Sequence, residues 1–222
     1  MPPDPSRTGI EVKICGLDRA ESVDAAVAGG ARYTGFVFYP PSPRNLSAEQ
    51  AQRLTGRIPV DVFRVALFVD PSDTEIARVL DRTQMDIIQL HGGETPDRVA
   101  DIRSKSGIQV MKVIKLAGAG DLQAAENYYA AADRLIFDAK PPNHMAGALP
   151  GGNALAFDWQ LLAGARVPLP WMLAGGLTAE NLAEAVASSG AAALDVSSGV
   201  EDAPGVKNVE KIRAFLAAAA AI

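Results

Sequence analysis

Eight short runs of apolar and β-branched residues alternate with stretches of helical pattern along the chain, and this alternation limits the folds that it can adopt. The spacing of the runs leaves room for a crossover helix after each strand, as parallel strands require. The predicted strands are Val12–Cys15, Tyr33–Phe38, Phe63–Val69, Ile87–Leu90, Val110–Ile114, Leu135–Phe137, Trp171–Leu173 and Ala193–Val196. The predicted helices are Arg19–Ala28, Ser47–Leu54, Asp73–Arg82, Pro96–Ser104, Asp121–Ala131, Ala179–Ala187 and Val209–Ala219.

Capping residues support several of these helices. Ser72 precedes Glu75 in the pattern of a capping box, and Thr95 precedes a proline at a first helical position. Thr178 is predicted to begin the helix that carries Asn181.

Eight strand–helix units in a chain of 222 residues predict one closed α/β barrel, a single (β/α)8 TIM barrel. A doubly wound open sheet is the main alternative, but its Gly-rich phosphate turn is missing after the first strand, which ends Cys15-Gly16-Leu17. No composition break divides the chain, so we expect residues 11–222 to form the barrel and residues 1–10 to form a flexible N-terminal arm. The irregular segment Lys140–Ala156 follows the sixth strand, where a barrel enzyme places an active-site loop.

The composition argues against several classes of protein. A net charge of −5 argues against a surface that binds nucleic acid or an anionic membrane. No secretory signal is visible and no apolar run is long enough to span a membrane, so we expect a cytoplasmic protein. With one cysteine and two histidines, the chain offers no internal disulfide and no cysteine- or histidine-rich metal site. We expect neither a metal nor a cofactor.

The first strand ends with two residues that could carry chemistry. Lys13 and Cys15 stand two positions apart, so they point to the same face of the strand. A lone cysteine is most often a small apolar core residue, and Lys13 could form a structural ion pair. The C-terminal end of a barrel strand favours a catalytic thiol instead. The lysine would then stabilise the thiolate and hold the pKa of the thiol at or below the free value of ~8.5.

Asp138 follows the apolar part of the sixth strand and is either a loop cap or a functional acid. Set opposite a thiolate base, it would form half of an acid–base pair. An aldose–ketose isomerisation requires such a pair, because one group removes a proton from carbon and another protonates oxygen.

Small residues follow the seventh and eighth strands. Gly175-Gly176 and Ser197-Ser198-Gly199 let the backbone approach a ligand, and a short helix that opens at Ser198 would direct N–H groups into the barrel mouth. Loops at these two positions bind phosphate recurrently in this fold. Although Gly-Gly alone could be a tight turn, the two loops together predict a phosphate site at Gly175, Gly176, Ser197, Ser198 and Gly199.

Two further polar residues follow other strands. A proline-rich loop after the second strand presents Arg44, whose planar fork suits a carboxylate, although composition alone favours a solvated surface arginine. His91 follows the fourth strand and could line the site or form a hydrogen bond within it.

Several segments, taken together, are similar to one known family. They are Lys13–Gly16, Gly35–Phe38, Ser42–Arg44, Ile88–Gly92, Gly151-Gly152, Phe157–Trp159, Leu173–Leu177 and Asp195–Glu201. In this order they resemble the phosphoribosylanthranilate isomerases of tryptophan biosynthesis, and the match runs from about Glu11 to the C-terminal helix.

The resemblance implies an Amadori rearrangement of N-(5-phosphoribosyl)anthranilate to 1-(2-carboxyphenylamino)-1-deoxyribulose 5-phosphate. It implies that Asp138 is the general acid that protonates the furanose ring oxygen, and that Cys15 is the general base that removes the C2′ proton. Arg44 would hold the anthranilate carboxylate, while Gly176 and the loop at 197–199 would hold the phosphate. Further polar residues of the matching segments are predicted to bind the substrate: Gln89, His91 and Asp195.

Three other functions fit part of the pattern. An isomerase of histidine biosynthesis would need an aspartate where Cys15 stands, and a Schiff-base aldolase would use a barrel lysine such as Lys115 or Lys140. A non-catalytic barrel would bind a phosphorylated ligand through the same loops. Cys15 argues against the isomerase of histidine biosynthesis, and the pair of Cys15 and Asp138 disfavours the non-catalytic barrel. Borohydride trapping with a carbonyl substrate would reveal the aldolase. We expect a small phosphorylated molecule as its partner and a monomer as the default assembly, with a homodimer as the alternative.

Overall fold

Eight parallel strands form a closed barrel, in which each strand pairs with its successor and the last pairs with the first. This computed structural model describes residues 9–140, 151–152 and 156–222. The barrel strands are β1 Glu11–Cys15, β2 Tyr33–Phe38, β3 Phe63–Phe68, β4 Ile87–Leu90, β5 Gln109–Leu116, β6 Arg134–Ala139, β7 Trp171–Leu173 and β8 Ala193–Val196. The predicted strands and the predicted TIM barrel are therefore confirmed, with small differences at the strand ends.

Helices alternate with these strands on the outside of the barrel. Within the described residues they are α1 Ala20–Ala28, α2 Ala48–Thr55, α3 Asp73–Leu80, α4 Pro96–Ser106, α5 Ala119–Ala124, α6 Leu182–Ser189 and α7 Val209–Ala220. The predicted capping box of Ser72 and Glu75 begins α3, and Thr95 accepts the N–H group of Arg98 at the start of α4. A 3-10 turn at Trp159–Leu162 lies between β6 and β7.

Apolar side chains fill both sides of the barrel wall. Successive side chains of a strand point to opposite faces, so one set fills the barrel and the other packs under the helices. The inner set is Tyr33, Val65, Ile87, Met111, Val113, Ile136, Met172, Ala174 and Ala193. A larger layer under the helices includes Ile14, Phe36, Ile88, Leu135 and Leu194. Because the interior is packed, a site can form only where the strands end.

The helix predicted at Asp121–Ala131 is shorter and begins earlier. Asp121 Oδ2 accepts the N–H groups of Ala117 and Gly118, so this residue caps the first turn of α5 from within the helix. The chain then continues as a 3-10 turn at Ala125–Tyr128. Glycines at the start of the segment lower its helix propensity, which fits the short α5.

The helix predicted at Ala179–Ala187 begins later, at Leu182. The Asn181 side chain is the reason, because it bonds to the backbone of the preceding loop. Its Nδ2 donates to the carbonyl oxygen of Gly176 at 2.9 Å, and its Oδ1 accepts the N–H group of Thr178 at 2.8 Å. Thr178 is therefore part of the loop and does not begin the helix.

A two-stranded hairpin after β8 was not predicted from the sequence. The expected short helix at Ser198 is a 3-10 turn, Ser198–Val200, and the antiparallel strands β9 Glu201–Ala203 and β10 Val206–Lys207 follow it. The hairpin brings two charged side chains, Glu201 and Lys207, back beneath the mouth of the barrel.

Two predictions lie mostly outside the described residues. Of the N-terminal arm predicted at residues 1–10, only residues 9 and 10 are described. Of the predicted loop Lys140–Ala156, only residues 140, 151, 152 and 156 are described. In the part of the chain that the structure describes, every helix is too short or too polar to cross a membrane.

Replacement of Phe215 tests how α7 contributes to the stability of the barrel. Its side chain is fully buried in the layer under the helices. Phe215→Ala should lower the free energy of unfolding by about 3–5 kcal/mol, because it removes apolar contacts and leaves a cavity. Urea unfolding followed by circular dichroism measures this loss. The control is Val60→Ala at a side chain that is 97% exposed, where we expect a change within about 0.5 kcal/mol. Equal losses in the two variants would contradict the assigned packing.

Candidate active site

A pocket opens at the C-terminal ends of the barrel strands, and all but one of the residues predicted for the site line it. These lining residues are Cys15, Arg44, His91, Asp138, Gly175, Gly176, Asp195, Ser197, Ser198 and Gly199. Apolar residues complete the wall, among them Val37, Leu67, Val69 and Ala174. The barrel thus brings together residues that are far apart in the sequence.

Gln89 is the exception. It lies on β4, two residues before His91, so it shares the inner face of the strand but lies one layer deeper. The side chain is fully buried, and its amide nitrogen and oxygen have no hydrogen-bond partner within the described residues. Its position beneath the pocket does not support the predicted contact with substrate.

The two lysines considered for a Schiff base are also outside the pocket. Neither Lys115 nor Lys140 is among the described residues that line it. Lys140 lies at the surface, where its ammonium pairs with Asp121 at 3.0 Å.

Lys13, Asp195 and Cys15 form a buried group on β1 and β8. Lys13 is fully buried, and its Nζ donates a 2.9 Å hydrogen bond to Asp195 Oδ1. The two residues are register partners on the strands that close the barrel. Gly35 on β2 leaves room beside them, because a side-chain carbon there would lie 3.0 Å from Lys13 Nζ and 3.2 Å from Cys15 Sγ. The ammonium and the thiol therefore lie side by side.

Burial raises the pKa of the Cys15 thiol, and the nearby Lys13 ammonium only partly opposes this rise. Asp195 adds to it, since a negative charge disfavours the thiolate. Burial also lowers the pKa of Lys13, but attraction to Asp195 and Cys15 exceeds that effect and the pKa is raised overall. The prediction of a Cys15 pKa at or below the free value is therefore wrong. The lysine is in place, but Asp195 already compensates its charge.

Asp138 and His91 meet at another point of the pocket. Asp138 lies near the end of β6, and its Oδ1 accepts the N–H group of Ala139 at 2.8 Å. Its Oδ2 lies 3.3 Å from Nε2 of His91, which makes no aligned hydrogen bond within the described residues. An imidazole nitrogen can donate or accept, so this pair could share a proton and pass it to a ligand.

The loops after β7 and β8 touch each other at the predicted phosphate site. Gly175 and Gly176 have φ values of 91° and 66°, a region that favours glycine, and Asn181 anchors the turn through the Gly176 carbonyl. In the next loop, a side-chain carbon on Gly199 would lie 1.8 Å from the carbonyl oxygen of Leu177. Only glycine permits this approach, so the two backbones present a continuous surface to a ligand.

Arg44 is buried, so the alternative of a solvated surface arginine is wrong. Its Nε donates to Glu201 Oε1 at 2.8 Å and its Nη2 donates to Glu201 Oε2 at 2.7 Å. The Lys207 ammonium forms a second ion pair with the same carboxylate and also donates to the Ser197 carbonyl oxygen at 3.2 Å. Although burial opposes it, the two cations lower the pKa of Glu201, so this carboxylate is charged at neutral pH.

Sequence reasoning missed the roles of Glu201 and Lys207. Glu201 stands in a segment that was singled out, and an acidic residue directly after the Ser-Ser-Gly loop could have been noted. Lys207 carried no comparable signal, because it reaches the site through a hairpin that the pattern did not predict.

The pocket combines several chemical groups that suit one kind of reaction. A thiol and a carboxyl group can act as base and acid, an arginine can hold a carboxylate, and glycine-rich backbone can hold a phosphate. The arrangement therefore suits proton transfer on a small molecule that carries both a phosphate and a carboxylate.

The sequence matches one family model over nearly the whole barrel. The family is described as N-(5'-phosphoribosyl)anthranilate (PRA) isomerase, and the match covers residues 12–218. Among similar curated proteins is the N-(5'-phosphoribosyl)anthranilate isomerase of Paramagnetospirillum magneticum, at 57% identity over 95% of this chain and 97% of that protein. The enzyme of the same name from Rhodospirillum centenum is 56% identical over 96% of this chain and 99% of its own length.

Solved structures show the same similarity. Phosphoribosyl anthranilate isomerase from Thermotoga maritima has a TM-score of 0.85 at 34% identity, covering 96% of this chain and 100% of that one. A phosphoribosyl anthranilate isomerase in complex with reduced 1-(o-carboxyphenylamino)-1-deoxyribulose 5-phosphate has a TM-score of 0.82 at 33% identity, with the same two coverages.

Alkylation of Cys15 tests its raised pKa. Because Cys15 is the only cysteine, iodoacetamide reports on this thiol alone. We expect the alkylation rate to reach its midpoint at a pH above about 8.5, the value of a free thiol. Lys13→Met should move the midpoint further upward, since it removes the cation that favours the thiolate. Mass spectrometry of the single label measures both midpoints.

The control for this experiment is Arg57→Met, which removes a surface cation paired with Asp24 outside the pocket. It should leave the midpoint unchanged. A midpoint below that of a free thiol in the wild-type protein would contradict the effect of burial. An unchanged midpoint in Lys13→Met would contradict the influence of the lysine.

Proposed function

Since the chain belongs to the N-(5'-phosphoribosyl)anthranilate isomerase family, we propose that Asp138 and Cys15 carry out the proton transfers of the family's reaction. The chain isomerises N-(5'-phosphoribosyl)anthranilate in tryptophan biosynthesis. This Amadori rearrangement gives 1-(2-carboxyphenylamino)-1-deoxyribulose 5-phosphate. The observation that carries the proposal is the one pocket in which a thiol, a carboxyl group, an arginine and two glycine-containing loops meet.

Asp138 is the general acid of this proposal. It protonates the oxygen of the furanose ring, the bond from this oxygen to C1′ breaks, and an open-chain Schiff base forms. Its Oδ2 lies next to His91 Nε2, so the imidazole can support the carboxyl group as its proton leaves and returns.

Cys15 is the general base. Its thiolate removes the proton from C2′ of the Schiff base, which gives an enolamine that then ketonises. The raised pKa makes the thiolate a stronger base once it has formed, and the Lys13 ammonium beside it stabilises that charge. Asp195 holds Lys13 in place through the 2.9 Å hydrogen bond.

The remaining groups bind the two charged ends of the substrate. Arg44 holds the anthranilate carboxylate, and the backbone of Gly175, Gly176 and the loop at 197–199 holds the phosphate. A related isomerase is known in complex with a ligand that carries both a carboxylate and a phosphate, which supports a site that binds both groups. His91 and Asp195 line the pocket, and in this proposal they contact the ribose between the two ends. Gln89 has no part in the proposal because it lies beneath the pocket.

Three other expectations stay predictions. They are the flexible arm at residues 1–10, the cytoplasmic location, and the monomer with a homodimer as its alternative.

Replacement of the acid tests the first proton transfer. Asp138→Asn keeps the shape of the side chain but removes the transferable proton, so kcat should fall on the order of 10²–10⁴-fold. Binding of the reduced product should change little. The measurement is the loss of substrate fluorescence with purified protein. Asp133→Asn is the control, because this carboxylate accepts the Val110 N–H group at the opposite end of β6. Near wild-type turnover in Asp138→Asn would assign the acid to another residue.

A substitution at Gly199 tests the phosphate loops. Gly199→Ala places a carbon against the Leu177 carbonyl and must separate the two loops. We expect affinity for the reduced, phosphorylated product to fall roughly tenfold or more, equivalent to about 1.4 kcal/mol. Affinity for the dephosphorylated compound should stay the same, and isothermal titration calorimetry measures both. Gly118→Ala, with open space around it, is the control. Equal losses for both compounds would place the phosphate elsewhere.

A further inference from the structure

The hairpin after β8 places two charged residues behind Arg44, and we propose that they are positioning residues for substrate binding. Glu201 holds one edge of the Arg44 guanidinium so that the other edge faces the substrate carboxylate. Lys207 keeps the net charge of this cluster positive. The inference rests on the proposed role of Arg44 and extends it to residues that do not line the pocket.

The hydrogen bonds of Arg44 show which part of the guanidinium remains available. The group has five N–H donors, and Glu201 accepts one from Nε and one from Nη2 along a single edge. Both donors of Nη1 and the second donor of Nη2 point away from this edge. Nη2 also donates to the Gly152 carbonyl oxygen, at 3.4 Å, so within the described residues the donors left without a partner are those of Nη1. Because Arg44 lines the pocket and Glu201 does not, the open edge is the one that a ligand meets.

The charges of this cluster do not balance. Arg44 and Lys207 are two cations, Glu201 is the one carboxylate between them, and the three side chains are 4%, 0% and 3% exposed. Burial lowers the pKa of Lys207, and Glu201 only partly opposes this effect. The undescribed residues 141–150 and 153–155 contain no acidic side chain that could supply the missing charge.

An excess buried charge is costly unless an anion compensates it. The anthranilate carboxylate is an anion of the right charge, and Nη1 of Arg44 offers it N–H donors that have no partner within the described residues. Lys207 therefore raises affinity without touching the ligand. If Lys207 were absent, Glu201 alone would neutralise Arg44.

The same ammonium links the cluster to the other parts of the pocket. Lys207 Nζ lies 3.2 Å from the carbonyl oxygen and 3.3 Å from the hydroxyl oxygen of Ser197, which follows β8 at the phosphate loop. It also acts on Cys15. The charged groups that face this thiol are Lys13 on its own strand, Asp195 on β8, Lys207 on β10 and Arg44 after β2.

Two ligands that differ only in the carboxylate test the proposal. One is the reduced 1-(o-carboxyphenylamino)-1-deoxyribulose 5-phosphate, and the other is the same molecule without the ring carboxylate. Isothermal titration calorimetry gives the two Kd values. The Kd of the ligand without the carboxylate divided by the Kd of the carboxylated ligand, called the Kd ratio below, measures recognition of the carboxylate. The wild-type protein should bind the carboxylated ligand more tightly.

Lys207→Met and Glu201→Gln remove the two charges one at a time. Each should lower the Kd ratio by about tenfold or more, the scale of one hydrogen bond to a charged group. For Lys207→Met the reason is the lost excess charge. For Glu201→Gln it is the lost orientation of Arg44, even though the net positive charge rises. With substrate, KM should increase more than kcat falls, because binding is weakened before the chemical step.

The alkylation midpoint of Cys15 tests whether the two side chains carry their charges in the folded protein. Lys207→Met removes a cation and should shift the midpoint to higher pH, whereas Glu201→Gln removes an anion and should shift it to lower pH. Lys207→Arg keeps the charge and should retain the wild-type Kd ratio, so it serves as the conservative variant.

A matched control is available in the loop after β4 and on β5. Glu94 and Lys112 form another buried ion pair, with side chains that are 1% and 3% exposed, outside the pocket. Glu94→Gln makes the same chemical change as Glu201→Gln and should leave the Kd ratio unchanged. Thermal unfolding checks that each variant is folded. If Glu201→Gln does not fold, Lys207→Met and Lys207→Arg decide the question.

The outcomes distinguish this inference from the proposed function. A wild-type protein that binds the two ligands equally would overturn the role of Arg44 and this inference with it. A wild-type preference that survives both charge removals would overturn the inference alone. A Kd ratio in Glu201→Gln that is larger than in the wild-type protein would also overturn the inference. Recognition of the carboxylate would then depend on the net charge of the cluster and not on the orientation of Arg44.

Discussion

The ion pair of Lys13 and Asp195 connects the closure of the barrel with the chemistry at its mouth. It joins β1 to β8 beneath the pocket, where Lys13 is fully buried and an unpaired charge would be strongly destabilising. Because each charge compensates the other, the neighbouring thiol of Cys15 lies beside a pair that is neutral overall. Gly35 must remain without a side chain for this arrangement to fit. Closure, charge compensation and the protonation of Cys15 thus depend on the same few atoms.

The barrel could be predicted from the sequence because its signals are local. Runs of apolar and β-branched residues mark each strand, and capping residues such as Ser72 mark the start of a helix. The elements that differ are set by contacts across the fold. The start of α6 depends on the bond from Asn181 to the Gly176 carbonyl, and the strands of the hairpin at 201–207 are too short to show a period.

The site could be predicted in part, because a parallel barrel collects all C-terminal strand ends on one side. This rule correctly brought Cys15 and Asp138 to one pocket, but it does not give depth, and Gln89 lies one layer too low. The partners of buried ion pairs are even harder to predict from the sequence. Glu201 is separated from Arg44 by 157 positions along the chain, so only the folded structure reveals that the two residues pair.

The buried, protonated thiol of Cys15 also affects how the protein responds to oxidants. Peroxide reacts with the thiolate and only slowly with the thiol, so a raised pKa slows the formation of sulfenic acid. The side chain is 5% exposed, which further limits the access of an oxidant. No second cysteine in the chain can resolve a sulfenic acid as an internal disulfide, so oxidation here would require repair by an external thiol. The environment that makes Cys15 a strong base therefore also slows the first step of its oxidation.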